Sequence, residues 1–297
     1  MVKGDVVVKR IVRPFFILMI MAALMIAGCG NSAEQGSADA DNAEKKDLSM
    51  REVLKEAEKA MKEVNGLSYA ASGNQTLSLE ADGQKEEIEQ TFNMDMDITT
   101  DPMAMHMKGS IEMMGEEMPI EAYMVDNMIY QKTETGSWSK GQLEGVDMSQ
   151  MGGQTPNETL EKLAEIIEKF QGDKQDESLN MSKEDGAYVI NVKLTEENDP
   201  EFVKQLTETL RSSMEPQLAQ AGLSISEDDI KVDEFTQKVW IDENNFQQKK
   251  VEQTTKLSVK INAAQFGQDV QIDMVQNMNI DLKGEFDGTI TVPEEAK

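Results

Sequence analysis

The chain has 297 residues, with 56 acidic and 29 basic side chains, one histidine and one cysteine. A formal net charge of −27 repels phosphate backbones and anionic headgroups, which excludes nucleic acid as an expected partner. One cysteine excludes a disulfide framework and a cysteine-based metal site or nucleophile, and one histidine, His106, leaves a Ser-His-Asp arrangement a single candidate base.

The N-terminus carries Lys3, Lys9, Arg10 and Arg13 against Asp5, then an unbroken apolar run from Phe15 to Ala27. A bilayer span needs roughly 20 apolar residues, so this run reads as the core of a secretory signal rather than a membrane helix. It ends in Ile26-Ala27-Gly28-Cys29, which resembles the lipobox of bacterial lipoproteins. Small residues let a peptidase approach the backbone, and the Cys29 thiol takes the diacylglycerol. The expected order is a signal peptide over 1–28, a lipidated tether over 29–47 and one domain over 48–293. Removing the signal leaves 25 basic and 55 acidic side chains, a mature net charge of −30. Residues 30–47 have almost no large apolar side chain and cannot bury enough surface to order themselves.

A helix is expected over 49–65. Ser49 and Glu52 form a capping box, Val53, Leu54, Ala57, Ala60, Met61 and Val64 make the apolar stripe, and Asn65-Gly66 supplies the stop. Three strands with period-two alternation follow. The first turns Leu67, Tyr69, Ala71, Leu77 and Leu79 one way; the second turns Ile88, Phe92, Met94, Met96 and Ile98 inward. The third, after a turn at Thr100-Asp101-Pro102, has Met103, Met105, Met107 and Ile111 on one face. One buried and one wet face indicates antiparallel sheet. Strands are also expected over 119–125 and 128–132.

The middle reads as helical. Thr155, Pro156 and Glu158 open a helix with Leu160, Leu163, Ala164, Ile167 and Phe170 inward. Asp199-Pro200 opens another, with Phe202, Val203, Leu206 and Leu210 inward and a break at Pro216. Two short strands lie between, the clearer carrying Tyr188, Ile190, Val192 and Leu194. The C-terminal part returns to β. Val239 and Ile241 precede a turn at 242–245, and Val251, Leu257, Val259 and Ile261 then alternate. From Val270 to Val292 the apolar positions keep even parity, which requires a turn or curl near Gly284 or Gly288. The fold class is mainly β with helices: a curved antiparallel sheet or incomplete β-barrel, with helices packed on its concave face.

Several stretches carry a family resemblance. Val64-Asn65-Gly66-Leu67-Ser68-Tyr69, Tyr123 to Tyr130, Gly136-Ser137-Trp138-Ser139-Lys140, Val239-Trp240-Ile241-Asp242 and Ile290-Thr291-Val292-Pro293 resemble the lipoprotein-carrier fold of LolA and the mycobacterial LppX and LprG proteins. The chain looks most like lipoproteins of that kind from Gram-positive bacteria. The resemblance implies an extracytoplasmic protein anchored to the cell membrane by lipid on Cys29, with an apolar cavity for acyl chains. It equally admits an envelope sensor that uses the fold to contact a membrane-protein partner.

The sharpest chemical cluster is Met103-Ala104-Met105-His106-Met107, among 22 methionines. Thioethers and an imidazole suit Cu(I), but on a strand His106 points opposite to the three methionines. Methionine as adaptable apolar filling is the plainer reading, and it also suits a cavity with variable contents. The candidate ligand-lining residues are therefore Phe92, Met94, Met96, Ile98, Met103, Met105, Met107 and Ile111. Ser137-Trp138-Ser139-Lys140 matches Ser-x-x-Lys without its companion motifs and sits in a hairpin. Glu87, Glu89, Asp95 and Asp97 lack calcium-loop spacing and read as a solvated face. No catalytic residue, metal or cofactor is expected. The expected partners are the membrane lipid of the anchor and a lipid or amphiphile ligand.

Overall fold

In a computed structural model, the residues described run from Leu48 to Lys297, apart from 82–83, 127, 134–135, 143–177, 198–199, part of 201–222 and 264–267. The signal, tether and Cys29 therefore lie outside the described residues, as does the helix expected after Thr155.

The chain opens with helix α1 (Met50–Lys62). Its capping box is formed as expected: Ser49 accepts from the Glu52 N–H while Glu52 accepts from the Ser49 N–H at 2.7 Å. The helix ends earlier than the sequence implies. Its C-cap is Glu63 in right-handed geometry, and Gly66 is already the first residue of a strand. There it serves close approach, since a Cβ would lie 2.5 Å from the Phe286 carbonyl oxygen.

Eleven strands form one antiparallel sheet. They are β1 (Gly66–Ala81), β2 (Gln84–Thr100), β3 (Met103–Met113), β4 (Glu116–Val125), β5 (Met128–Lys132) and β6 (Trp138–Gln142), then β7 (Leu179–Glu184), β8 (Ala187–Leu194), β9 (Ile230–Asp242), β10 (Gln248–Ala263) and β11 (Gln268–Glu285). Their spatial order is β6-β5-β4-β3-β2-β1-β11-β10-β9-β8-β7. Two meanders are thus joined by the long β1–β11 pair at the centre, and the sheet remains open at β6 and β7. A curved open sheet of this kind matches the expected class. The described residues between 200 and 218 are helical.

Alternation sets the faces. Along one row Ile98 faces Met105 and Met105 faces Met124, while on the opposite side Asp97 faces His106 and His106 faces Tyr123. The inner face joins one core with Val53, Leu54, Ala57 and Met61 of α1 and with Val203, Leu210 and Leu218. Phe92 lies across the backbone of Gly73, where a Cβ would sit 2.6 Å from its Cζ.

The outer face departs from the simple wet surface expected. Tyr130, Val292 and Ala296 form a second buried cluster, flanked by Tyr123, Val125, Met128 and Trp138. All the strand members point outward, so the tail after β11 lies over the outer face of β4–β6. The break expected near Gly284 is present: β11 ends at Glu285, Gly284 has φ +148°, and the Phe286 N–H donates to the Gly66 carbonyl at 2.8 Å. Val292 belongs to this second cluster rather than to a continued strand. The tail ends in a short turn, Glu294–Ala296, whose Ala296 is buried.

Candidate functional site

The inner face divides into two wings of different character. On β9 and β10 its side chains are branched and closed off: Val232, Val239, Ile241, Leu257, Val259 and Ile261 are each at most 1% exposed. Beyond β2 the composition changes to methionine. Met105, Met113, Met118 and Ile120 pack against the same core yet remain half-buried. Met103, Met124 and Ile129, on the same face by register, are half-buried as well. Branched side chains specify a fixed packing, whereas methionine adapts to irregular space.

The eight residues expected to line a ligand site do share this face. Phe92, Met94, Met96, Ile98, Met107 and Ile111 are buried in the core, Met105 packs against it half-buried, and Met103 sits at the rim half-buried. The first group forms a floor and the last two lie where that floor meets the open wing. Sequence reasoning missed Met113, Met118, Ile120, Met124 and Ile129, although their alternation on β3 to β5 was available as a signal.

It also missed a polar row. In the middle of the inner face Gln75 faces Gln90 on one side and Gln276 on the other. Gln276 in turn faces Thr255, and one row along Gln253 faces Gln237. All six are buried, at 6% exposure or less. Gln253 donates to the Thr255 hydroxyl at 3.3 Å. Both amide atoms of Gln75 and of Gln276, Oε1 of Gln90 and of Gln253, and Nε2 of Gln237 have no hydrogen-bond partner among the described residues. Apolar rows flank the belt on both sides: Gly73, Phe92, Ile111 and Met278 on one, Leu77, Ile88, Met274 and Leu257 on the other. Tyr69 is a further polar group on this face; its hydroxyl lacks a partner, and burial pushes its phenol far above the usual value.

His106 lies on the outer face, opposite the methionines, as strand geometry requires. It is not simply solvated. Its ring stacks on Tyr123 at 4.3 Å, and Tyr123 tilts against Trp138 at 5.7 Å. Nδ1 lies 3.9 Å from Asp97 and Nε2 3.8 Å from Glu121. Burial acts to raise the Glu121 carboxyl, but Lys132 at 3.2 Å, with Lys108 and His106, outweighs it and leaves the group below its ordinary value. Tyr123 moves up, through burial and then the Glu121 charge. The tail therefore lies beside an aromatic and ionic cluster, in which the Ser68 hydroxyl donates to Asp97 at 2.5 Å.

The Ser-x-x-Lys stretch runs into the edge strand β6, where the Lys140 ammonium rests 5.0 Å from the Tyr130 ring centre. A polar cleft of about 580 Å³ opens at the β8–β11 end, lined by Trp240, Lys250, Asp281 and Lys283 among others. Trp240 lies beneath Lys238 and Lys250, at 4.6 and 4.9 Å. Among the described residues no cluster of three or more His, Cys, Asp or Glu is arranged to hold a metal. No helix among them is long and apolar enough to cross a membrane.

The chain belongs to a family of unknown function, DUF6612, whose model matches residues 49–297. No curated protein matches it. Among solved structures it is similar to a LolA superfamily protein from Nitrosomonas europaea, at 13% identity and a TM-score of 0.21, covering 82% of this chain and 98% of that one. A beta-barrel-like protein from Brucella abortus gives 11% identity and a TM-score of 0.22, covering 74% and 99%. An outer membrane lipoprotein-sorting protein domain from Vibrio parahaemolyticus gives 9% identity and a TM-score of 0.18, covering 77% and 92%.

Proposed function

We propose that this chain is a lipid-anchored, extracytoplasmic binding protein that holds an acyl chain or similar apolar ligand on the methionine wing of its inner face, beneath helices that cover the sheet. The observation that carries this reading is the half-buried apolar wing of β3 to β5, continuous with a closed floor at Phe92, Met94 and Met107. Flexible thioether side chains at a partly open apolar surface suit a space whose contents vary. Among the described residues the exposed large apolar side chains are Met114, in the β3–β4 turn, and Val275, in the middle of β11, so no broad apolar patch there supports docking of a membrane-protein partner. The site offers no paired acid and base, and the reading is of a binder rather than an enzyme.

Three experiments test the two halves of the proposal. Cys29→Ala should block lipidation and move the protein out of the membrane fraction or leave a precursor; unchanged size and detergent partitioning would remove the anchor. Protein extracted from membranes should carry co-purified lipid in native mass spectrometry. Met105→Trp fills the rim, so it should displace an apolar fluorescent probe at little cost in stability. A closed core would instead lose about 1–3 kcal/mol by overpacking. Met105→Trp unfolding, with no lipid or probe bound by the unmodified protein, would end the carrier reading.

A further inference from the structure

The glutamine belt is costly unless something completes it. A buried donor or acceptor without a partner costs about 1–3 kcal/mol, and native proteins pair nearly all such groups. Here the unpartnered atoms belong to five side chains on five neighbouring strands, with Thr255 between them. Turning the amides over does not rescue the arrangement. Gln75 and Gln276 lack partners at both oxygen and nitrogen, so exchange of the two leaves them equally unsatisfied.

The belt has three properties that define a complement. It carries free donors at Gln75, Gln237 and Gln276 and free acceptors at Gln75, Gln90, Gln253 and Gln276. It contains no charged side chain: its members are five glutamines and one threonine. It is bounded on both sides along the strands by apolar rows, and at its β2 end Gln90 faces Met113 of the open wing. A charged headgroup would be desolvated there without a counter-charge. A neutral group with both a hydrogen-bond acceptor and a donor would satisfy the belt while its chain lies on the methionine wing.

We propose that the row Gln75, Gln90, Gln276, with Gln253 and Gln237, is the polar subsite of the ligand site and selects acyl lipids whose polar part is neutral, an ester or amide carbonyl beside a free hydroxyl or N–H. The ester carbonyl accepts from the Gln75 and Gln276 amide groups, and the hydroxyl donates to the amide oxygens. At its β2 end the belt meets Met113, so an acyl chain lies along the methionine wing while its linkage rests on the belt. This inference rests on the proposed binding of an apolar ligand and adds the chemical class of its polar part.

The test separates the two claims. The full chain in mild detergent is titrated with radiolabelled dioleoylglycerol and, separately, with radiolabelled octadecane, which has no hydrogen-bonding group. Protein-bound label is measured after gel filtration. The unmodified protein should prefer dioleoylglycerol. In the double variant Gln75→Leu, Gln276→Leu, dioleoylglycerol should weaken about 10-fold or more, as loss of one to two hydrogen bonds implies, while octadecane binds as well or better. The double variant should melt no lower than the unmodified protein, because removing unpaired buried amides creates no new orphaned group; the single variant Gln276→Met repeats both readouts with a smaller change in shape. Equal loss of both probes, or a lowered melting temperature with unchanged probe preference, would mean that water or the protein itself completes the belt, and would overturn the subsite. Equal binding of both probes by the unmodified protein overturns the subsite but leaves the apolar-ligand reading standing. Binding of neither probe overturns both.

Discussion

The two wings of the inner face share a sheet, a register and a parity, yet differ in what fills them. On β9 and β10 branched residues are closed to solvent, with Val239, Ile241, Val259 and Ile261 all at 0% exposure. On β3 to β5 methionines hold the equivalent positions, and all but Met107 stay half-buried. The first wing is built to have one packing, and the second tolerates many. Such a division is what a binding protein requires: a rigid half that fixes the curve of the sheet and an adaptable half that yields to a guest.

The comparison breaks first at its rigid side. Leu257→Ala, in the closed wing at 1% exposure, should lower stability by about 2–5 kcal/mol. Met118→Ala, half-buried in the open wing, should cost well under half of that, as measured by chemical denaturation. Equal losses would make the wings a single ordinary core. Gly109 lies on β3 where the methionine wing meets β2, and a Cβ there would sit 2.7 Å from the Met94 Cα. Gly109→Ala should therefore destabilise by about 1–3 kcal/mol through forced separation of β2 and β3.

A smaller effect belongs to the outer strap. Val292→Asp places a charge in the cluster of Tyr130, Tyr123 and Trp138, and should free the tail for proteolysis after β11. Trp138 emission should shift to the red while Met-wing ligand binding persists. Loss of ligand binding in step with the tail would couple the outer face to the inner one. The smallest expected effect is at the β9–β10 turn. Asp242 accepts from the Asn244 N–H at 2.8 Å and the Asn245 N–H at 3.2 Å. The Asn244 bond leads in holding its carboxyl below the ordinary value, against burial and aided by Lys249. A depressed folded-state value means the contribution is present above the unfolded value, near 3.9, and is lost as pH falls through the folded one. Acidification from pH 5 to 3 should thus destabilise the unmodified protein slightly more than Asp242→Asn.

Much of the sheet was legible because period-two alternation survives in one sequence. It located β1 to β3, β5 and β10, and it put Phe92, Met94, Met96, Ile98, Met105 and His106 on the correct faces. Parity says which side of a chain a residue occupies, but not what lies against that side. Hence the different closure of the two wings was hidden, although their change from Val and Ile to Met was visible. The length of the even-parity run required a break near Gly284, where β11 ends, but parity could not show that Val292 lands against Tyr130 on the outer face. The glutamine belt was legible in a form that was overlooked. Gln75 sits between Ala71 and Leu77, Gln90 between Ile88 and Phe92, Gln276 between Met274 and Met278, and Gln253 between Val251 and Leu257. Each reads as a tolerated polar residue within its own strand, and only the register aligns them.

The central claim is that the acyl chain of an apolar ligand lies on the methionine wing and not among the branched residues of the other. Methyl NMR of the full chain, with methionine, valine and isoleucine methyls labelled, tests it most directly. On addition of an acyl lipid, the methyls of Met103, Met105, Met118 and Met124 should shift strongly while those of Val239, Ile241 and Val259 hold still. Shifts spread evenly over both wings, or none beyond the exposed Met114, would contradict the account.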